Sequence, residues 1–450
     1  MTACPRADRN AAAIAFGLLT AATVTGAALY QLGRPVHASS PPLFAHWLPH
    51  AGPGTPAAVG VAVLVWRYGP DLAARWPWRT VLAASYMAAL AWTLSLALVD
   101  GWQRGVAGRL TTEHEYLHEV PGITDIPATL AGFTARILDF QPDSWTTHVS
   151  AHPPGALLVF VWLDRAGLGG GGWAAMLCLL VAGLVGVAVP HTVRLLATDG
   201  AGRAVAPFAV LFPGAVWSGV SADGLFAGAT AAGVALLAHG VVRGRAACSM
   251  AGGVLLTFGC YLSYGLVLVA PIVVVVLILA GGRRRAAGWA VVGAFPVVAA
   301  FTAAGFHWPT GYHLVIERYY QGIATDRPYA YWVWANLAVL AAAAGPAAAV
   351  VVRRAFVAGW RAFVAGWRAG RPSRWDATAA VWLLPIAATT AIVAADLSGY
   401  SKAEVERIWL PFGVWLMAGA ALIPAPDRRR WLAVQAMVAL TVNHLLLTVW

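Results

Sequence analysis

Charge is the scarcest commodity in this chain. Of its 450 residues only 11% are Asp, Glu, Lys or Arg and 60% are hydrophobic, with a mean hydropathy of +0.68, whereas an ordinary soluble domain carries about 25% charged residues. That shortage excludes a soluble globular protein, because no soluble core absorbs so much apolar surface. Cysteine is nearly as rare. Cys4, Cys178, Cys248 and Cys260 lie at the N-terminus or in apolar runs, and none stands in a long polar loop where an oxidising compartment would favour a bridge. A disulfide framework is therefore excluded and the four read as small core residues. Acids are few as well, 19 against 30 basic residues for a net charge of +11. In a soluble chain that balance would point to nucleic acid. Here the basic residues stand in short clusters between apolar runs, which is the positive-inside pattern of a membrane protein, and a nucleic-acid partner is not expected.

What the chain has in abundance is long apolar runs. Residues 10–32, 80–99, 264–280 and 431–449 are each near the roughly 20 residues that cross hydrocarbon. In lipid every backbone polar group must be satisfied within the segment, and no alternation is visible, so these runs are helices. Arg6 and Arg9 precede a first apolar run too long for a signal-peptide core, with no small-x-small site after it, and it reads as an uncleaved helix. The basic clusters are Arg67, Arg75 and Arg79, then Arg194 and Arg203, Arg243 and Arg245, residues 283–285, 353–374 and 428–430. Placing them in the cytoplasm pairs the later spans into hairpins whose tips, 217–223, 260–264, 306–328 and 396–407, face outward. The expected architecture is all-α: one polytopic transmembrane domain over 1–450 with about thirteen spans. Its N-terminus is cytoplasmic and its C-terminus extracytoplasmic, with a long extracytoplasmic loop 101–152 carrying juxtamembrane helices and a cytoplasmic basic linker 353–376. Parity singles out 153–163, about 11 residues and too short to span; it is expected to be re-entrant or interfacial. The linker holds a tandem copy, RAFVAGW at 354–360 and again at 361–367, read as an amphipathic interfacial segment without catalytic role.

Two polar constellations stand beside the membrane. Loop 101–152 contains Thr111, Thr112, Glu113, His114, Glu115, Tyr116, Leu117, His118 and Glu119. On a helix Glu115 and Glu119 share one face and His114 and His118 another. A carboxylate at the mouth of an apolar pocket, its pKa raised by burial, can act as general base toward an acceptor hydroxyl; the alternative is a solvated juxtamembrane helix. A His/Glu metal site is conceivable but lacks the full HExxH spacing, so no cofactor is expected and a divalent metal stays the unsupported alternative. The loop ends in Thr146, Thr147, His148, Val149, Ser150, Ala151, His152, Pro153, Pro154 and Gly155, where two prolines start a helix rigidly and fix His152 at the membrane surface.

In order and topology these motifs resemble the GT-C superfamily of membrane glycosyltransferases. In protein O-mannosyltransferases and lipid A aminoarabinose transferases an acidic pair stands in the first outer loop and an HPPL or KPPL motif follows. The counterparts here are Glu113-His114-Glu115-Tyr116 and His152-Pro153-Pro154-Gly155. Phe212-Pro213 with Trp217-Ser218 and Ser221-Ala222-Asp223 is similar to the family's Pro-containing helix, outer tip and helix start. The acidic pair is split by His114, so Glu115 or Glu113 is the family's carboxylate, with Glu115 favoured because it directly precedes Tyr116. The long loop follows the third span here and the first in the family.

The resemblance implies a polyprenyl-phosphate sugar donor, a glycan, lipid or protein acceptor on the extracytoplasmic face, and inversion at the transferred sugar. Lys402, Arg407 and Arg327 are the candidates for the donor phosphate, unless they are interfacial residues paired with Glu404, Glu406 or Asp326. Arg407 and Glu115 are expected to face one cavity. Tyr116, His148, His152, Asp223 and Tyr264 complete the expected substrate-binding set; Tyr264 belongs to a group of aromatics suited either to sugar stacking or to the interfacial belt. Two rivals remain: a secondary transporter or lipid flippase, which would carry ionisable groups mid-membrane on broken helices, and a non-catalytic cell-envelope assembly protein.

Overall fold

The computed structural model describes residues 4–281, 284–368 and 378–448; Arg283, the linker beyond residue 368 up to 376, and Trp450 lie outside them. The chain is a bundle of helices. In order these are α1 (Arg6–Gln31), α2 (Thr55–Arg75), α3 (Trp78–Ala97), α4 (Pro154–Arg165), α5 (Gly171–Leu196), α6 (Asp199–Val210), α7 (Ala222–Arg243) and α8 (Ala246–Leu262). They continue as α9 (Tyr264–Leu279), α10 (Arg284–Ala303), α11 (Trp308–Gln321), α12 (Tyr329–Ala343), α13 (Pro346–Arg368), α14 (Ala380–Leu397), α15 (Leu410–Leu422) and α16 (Ala425–Leu445). Six of the described helices are long and apolar enough to cross a bilayer. The other expected crossings are shorter or more polar helices, and one is the pair α12 and α13, bent by 110° at Gly345, whose φ of +76° favours glycine.

α7 runs through the middle. Ser221 caps its start by accepting from the Gly224 N–H at 3.1 Å, and left-handed Gly244 ends it. Small residues let its neighbours approach closely: a methyl on Gly228 would stand 1.8 Å from the Val181 carbonyl oxygen, and one on Gly240 would meet Ser249. This is how membrane helices gain packing without a hydrophobic driving force.

The short α4 begins and ends against the same loop. At its start the Tyr116 hydroxyl lies 2.7 Å from His152 Nδ1, and at its end Arg165 donates to the carbonyls of Ile123 and Thr124 at 3.2 and 2.9 Å. A helix with both ends tied to loop 101–152 lies along that loop.

One feature departs from the all-helical expectation. Ala45–Trp47 (β1) and Leu446–Thr448 (β2) pair antiparallel, so the last apolar run turns from helix to strand after Leu445. Arg109 fastens this ribbon, donating to the Thr448 carbonyl at 2.9 Å and to its hydroxyl at 2.7 Å. Leu446–Thr448 read as a final helical turn because hydropathy alone does not separate a short apolar strand from a helix end.

The ribbon, loop 101–152 and the tip 398–408 share one end of the bundle. Basic clusters gather at the other: Arg353 and Arg354 both grip Asp8 at the start of α1, Arg429 pairs with Asp71, and Arg194 and Arg203 with Asp199.

Candidate active site

Residues 116–119 form a single helical turn, and the two glutamates before it differ sharply in burial. Glu115 stands just before it in extended conformation and is buried, 5% exposed. The Glu113 side chain is 79% exposed and meets only His114. The same turn lays the Tyr116 ring against Phe160 of α4, centroids 5.2 Å apart. Burial pushes His152 down to about 4, so this ring is neutral at physiological pH and serves as a hydrogen-bonding support.

From Glu115 a chain of polar contacts runs through side chains that are far apart in sequence. Glu115 Oε1 is 2.9 Å from His148 Nδ1, and His148 Nε2 is 3.4 Å from the Arg407 guanidinium. A guanidinium only donates, so Nε2 accepts and Nδ1 carries the proton given to Glu115. Arg407 in turn donates to Asp223 at 2.7 Å and to Glu404 at 2.8 Å. Asp223 sits in the first turn of α7, where the helix dipole favours its charge.

Glu404 is the hub that sequence reasoning left as a mere pairing partner. One oxygen takes Arg407 and the other takes both terminal nitrogens of Arg327 at 3.0 Å. Arg327 also donates to the Lys402 carbonyl at 2.8 Å and the His37 carbonyl at 3.3 Å. Three non-glycine residues with left-handed φ surround this pin: His37, Ala403 and Glu404, at 56°, 69° and 64°. Such conformations cost about 1–3 kcal/mol each and cluster where the surroundings over-determine them.

Three expectations change. Burial alone would raise the Glu115 carboxyl, but the His148 ring beside it and Arg407 behind it outweigh burial and hold it below the usual glutamate range. Arg407 is not a free cation: burial would lower it, but Asp223 and Glu404 hold it firmly protonated. The His148 ring occupies the space between Glu115 and Arg407 where a shared cavity was expected. A cavity of about 390 Å³ lies instead beside the 116–119 turn, among Leu117, His118, Phe160, Leu163 and Asp164.

Lys402 stands apart from these ion pairs. It is the only lysine of the chain, 6% exposed, and pairs with no carboxylate among the described residues. Its Nζ rests over the Tyr320 and Tyr319 rings, 5.2 and 5.9 Å from their centroids. Tyr264 joins a separate aromatic group, 5.2 Å from Trp308 and 5.9 Å from Tyr312, and no described bond ties it to the carboxylates. Glu115 Oε2 is buried without a partner. Among the described residues no three His, Cys, Asp or Glu side chains converge as metal ligands.

No family model and no curated protein matches the chain. Among solved structures it is similar to the crystal structure of ArnT from Cupriavidus metallidurans in the apo state, with a TM-score of 0.45 and 16% identity over 76% of this chain. The match spans 59% of the ArnT chain. At that level the likeness leaves activity to be argued from the residues.

Proposed function

We propose that the chain is a GT-C-type membrane glycosyltransferase that moves a sugar from a polyprenyl-phosphate donor to a hydroxyl acceptor on the extracytoplasmic face. The observation that carries this reading is the convergence of Glu115, His148, Asp223, Glu404 and Arg407, drawn from four distant segments, into one buried network at the end of the bundle opposite the basic clusters. The acidic-aromatic and His-Pro-Pro motifs of the sequence meet there, through Tyr116 and His152.

In this mechanism the Glu115 carboxylate is the general base. His148 holds Oε1, which leaves the lone pairs of Oε2 for the proton of the acceptor hydroxyl. That hydroxyl oxygen attacks the anomeric carbon from the side opposite the phosphate, and the carbon–oxygen bond to phosphate breaks. Its electron pair stays on the leaving polyprenyl phosphate, and the configuration inverts. Lys402, the uncompensated cation, takes the developing phosphate charge. Arg407 and Arg327 hold His148 and the 402–404 backbone in place. Because Oε2 is covered, the acceptor enters as the Glu115 turn shifts.

The test uses the purified chain in lipid nanodiscs with polyprenyl-phosphate sugars, the sugar being chosen by comparing envelope glycans with and without the protein. Glu115→Gln should lower turnover by about 100- to 10,000-fold while donor binding persists, and Glu113→Gln should change little. Lys402→Met should weaken donor binding by about 1.5–3 kcal/mol, the worth of a charge-assisted hydrogen bond. Wild-type turnover in both glutamate variants would end the proposal, and so would an unchanged glycan profile.

A further inference from the structure

The duplicated heptad falls entirely on α13, and the helix gives it three distinct rails. At 3.6 residues per turn, Phe356, Trp360, Phe363 and Trp367 fall within one narrow stripe. They are 50%, 66%, 64% and 78% exposed. Ala355, Gly359, Ala362 and Gly366 form a second, small-residue rail turned to the bundle, where Gly359 packs against Trp382 and Ile386 of α14. Arg354, Arg361 and Arg368 form the third, roughly 140° around the helix from the aromatic stripe.

The first copy is anchored. Arg353 and Arg354 close on the fully buried Asp8 carboxylate, with bonds of 2.6 Å from each arginine. The second copy extends past that anchor: Arg361 and Arg368 are exposed, and neither meets a carboxylate among the described residues. α13 itself contains no acid at all. The 110° bend turns α13 nearly crosswise to α12, at the level where α1, α14 and α16 begin.

We propose that the second copy is a docking surface for anionic phospholipid, with the aromatic rail sunk among the acyl chains and Arg361 and Arg368 reaching the phosphates of the headgroups. Charge complementarity selects the occupant. A zwitterionic surface would accept the aromatic rail equally well and give the arginines nothing, whereas each arginine near an anionic leaflet raises local binding by a factor of about five. Arg6 and Arg9, exposed on either side of Asp8 in α1, extend the same field. This inference is independent of the transferase reading.

The test places the full chain in nanodiscs of phosphatidylcholine doped, at equal mole fraction, with either dibrominated phosphatidylglycerol or dibrominated phosphatidylcholine. Tryptophan quenching is recorded for the wild type and for Trp360→Phe/Trp367→Phe, and the difference isolates α13. Quenching of those two tryptophans should be several-fold stronger with the brominated phosphatidylglycerol. Arg361→Gln/Arg368→Gln should abolish that preference and leave the quenching by brominated phosphatidylcholine. Equal quenching by the two lipids in the wild type would overturn headgroup selection, and no quenching by either would show that the aromatic rail does not face lipid.

Discussion

Glu406 sits one residue from the arginine of the site and does something different from it. Its Oε1 accepts the Phe44 N–H at 3.0 Å, its Oε2 is buried without a partner, and burial pushes its carboxyl from 4.5 up to about 7. Between those two values the folded chain holds a proton that the unfolded chain has released, so this group's contribution to stability is full in acid and is lost as pH rises toward 7. Glu406→Gln keeps the acceptor for Phe44 and removes the titration. Its thermal midpoint should match the wild type near pH 5 and exceed it above pH 7, as read by unfolding in detergent; a constant difference across that range would refute the assignment. At the same scale the legibility of the site was uneven. Glu115 and Glu113 were both visible as candidates, but the burial that separates them comes from tertiary contacts, such as Tyr116 packing on Phe160, and not from local sequence. Lys402 and Arg407 were legible as cations at a tip. That Asp223 and Glu404 neutralise one and leave the other unpaired is a long-range fact no motif carries.

At the level of elements, the long helices follow directly from apolar length, and α4 follows from its shortness. The two anchors of α4 on loop 101–152, at Tyr116 and at Ile123 and Thr124, make the expectation that 153–163 does not cross directly testable. Single cysteines at Asp164 and His118 should therefore be labelled by an impermeant maleimide from the same side, and one at Arg245 from the other. Labelling of Asp164→Cys together with Arg245→Cys would make α4 a crossing helix and shift the parity of everything after it. The β1–β2 ribbon was invisible because three residues are too few for a period-2 pattern to register. The bend at Gly345 is marked in the sequence only by the dipeptide Gly345-Pro346, which stands inside an apolar run that continues from α12 into the basic linker.

Across the whole molecule the sequence's charge segregation becomes geometry. The basic clusters collect at one end, around the buried Asp8, while the acids Glu115, Asp223, Glu404 and Glu406 collect at the other. If the basic end is cytoplasmic, reporters fused after Trp450 and inserted within 355–370 should report opposite compartments, and a shared compartment would overturn the orientation. The ribbon adds a consequence in time. Strand β2 is made more than 300 residues after the loop it fastens through Arg109, and Arg407 and Glu404 also arrive late. A nascent chain thus threads its early helices into the bilayer with the Glu115 loop still unmoored. On the proposed function the network becomes whole only when Glu404 and Arg407 have emerged and reached Asp223 and His148, so a chain stalled short of them should be inserted but inert.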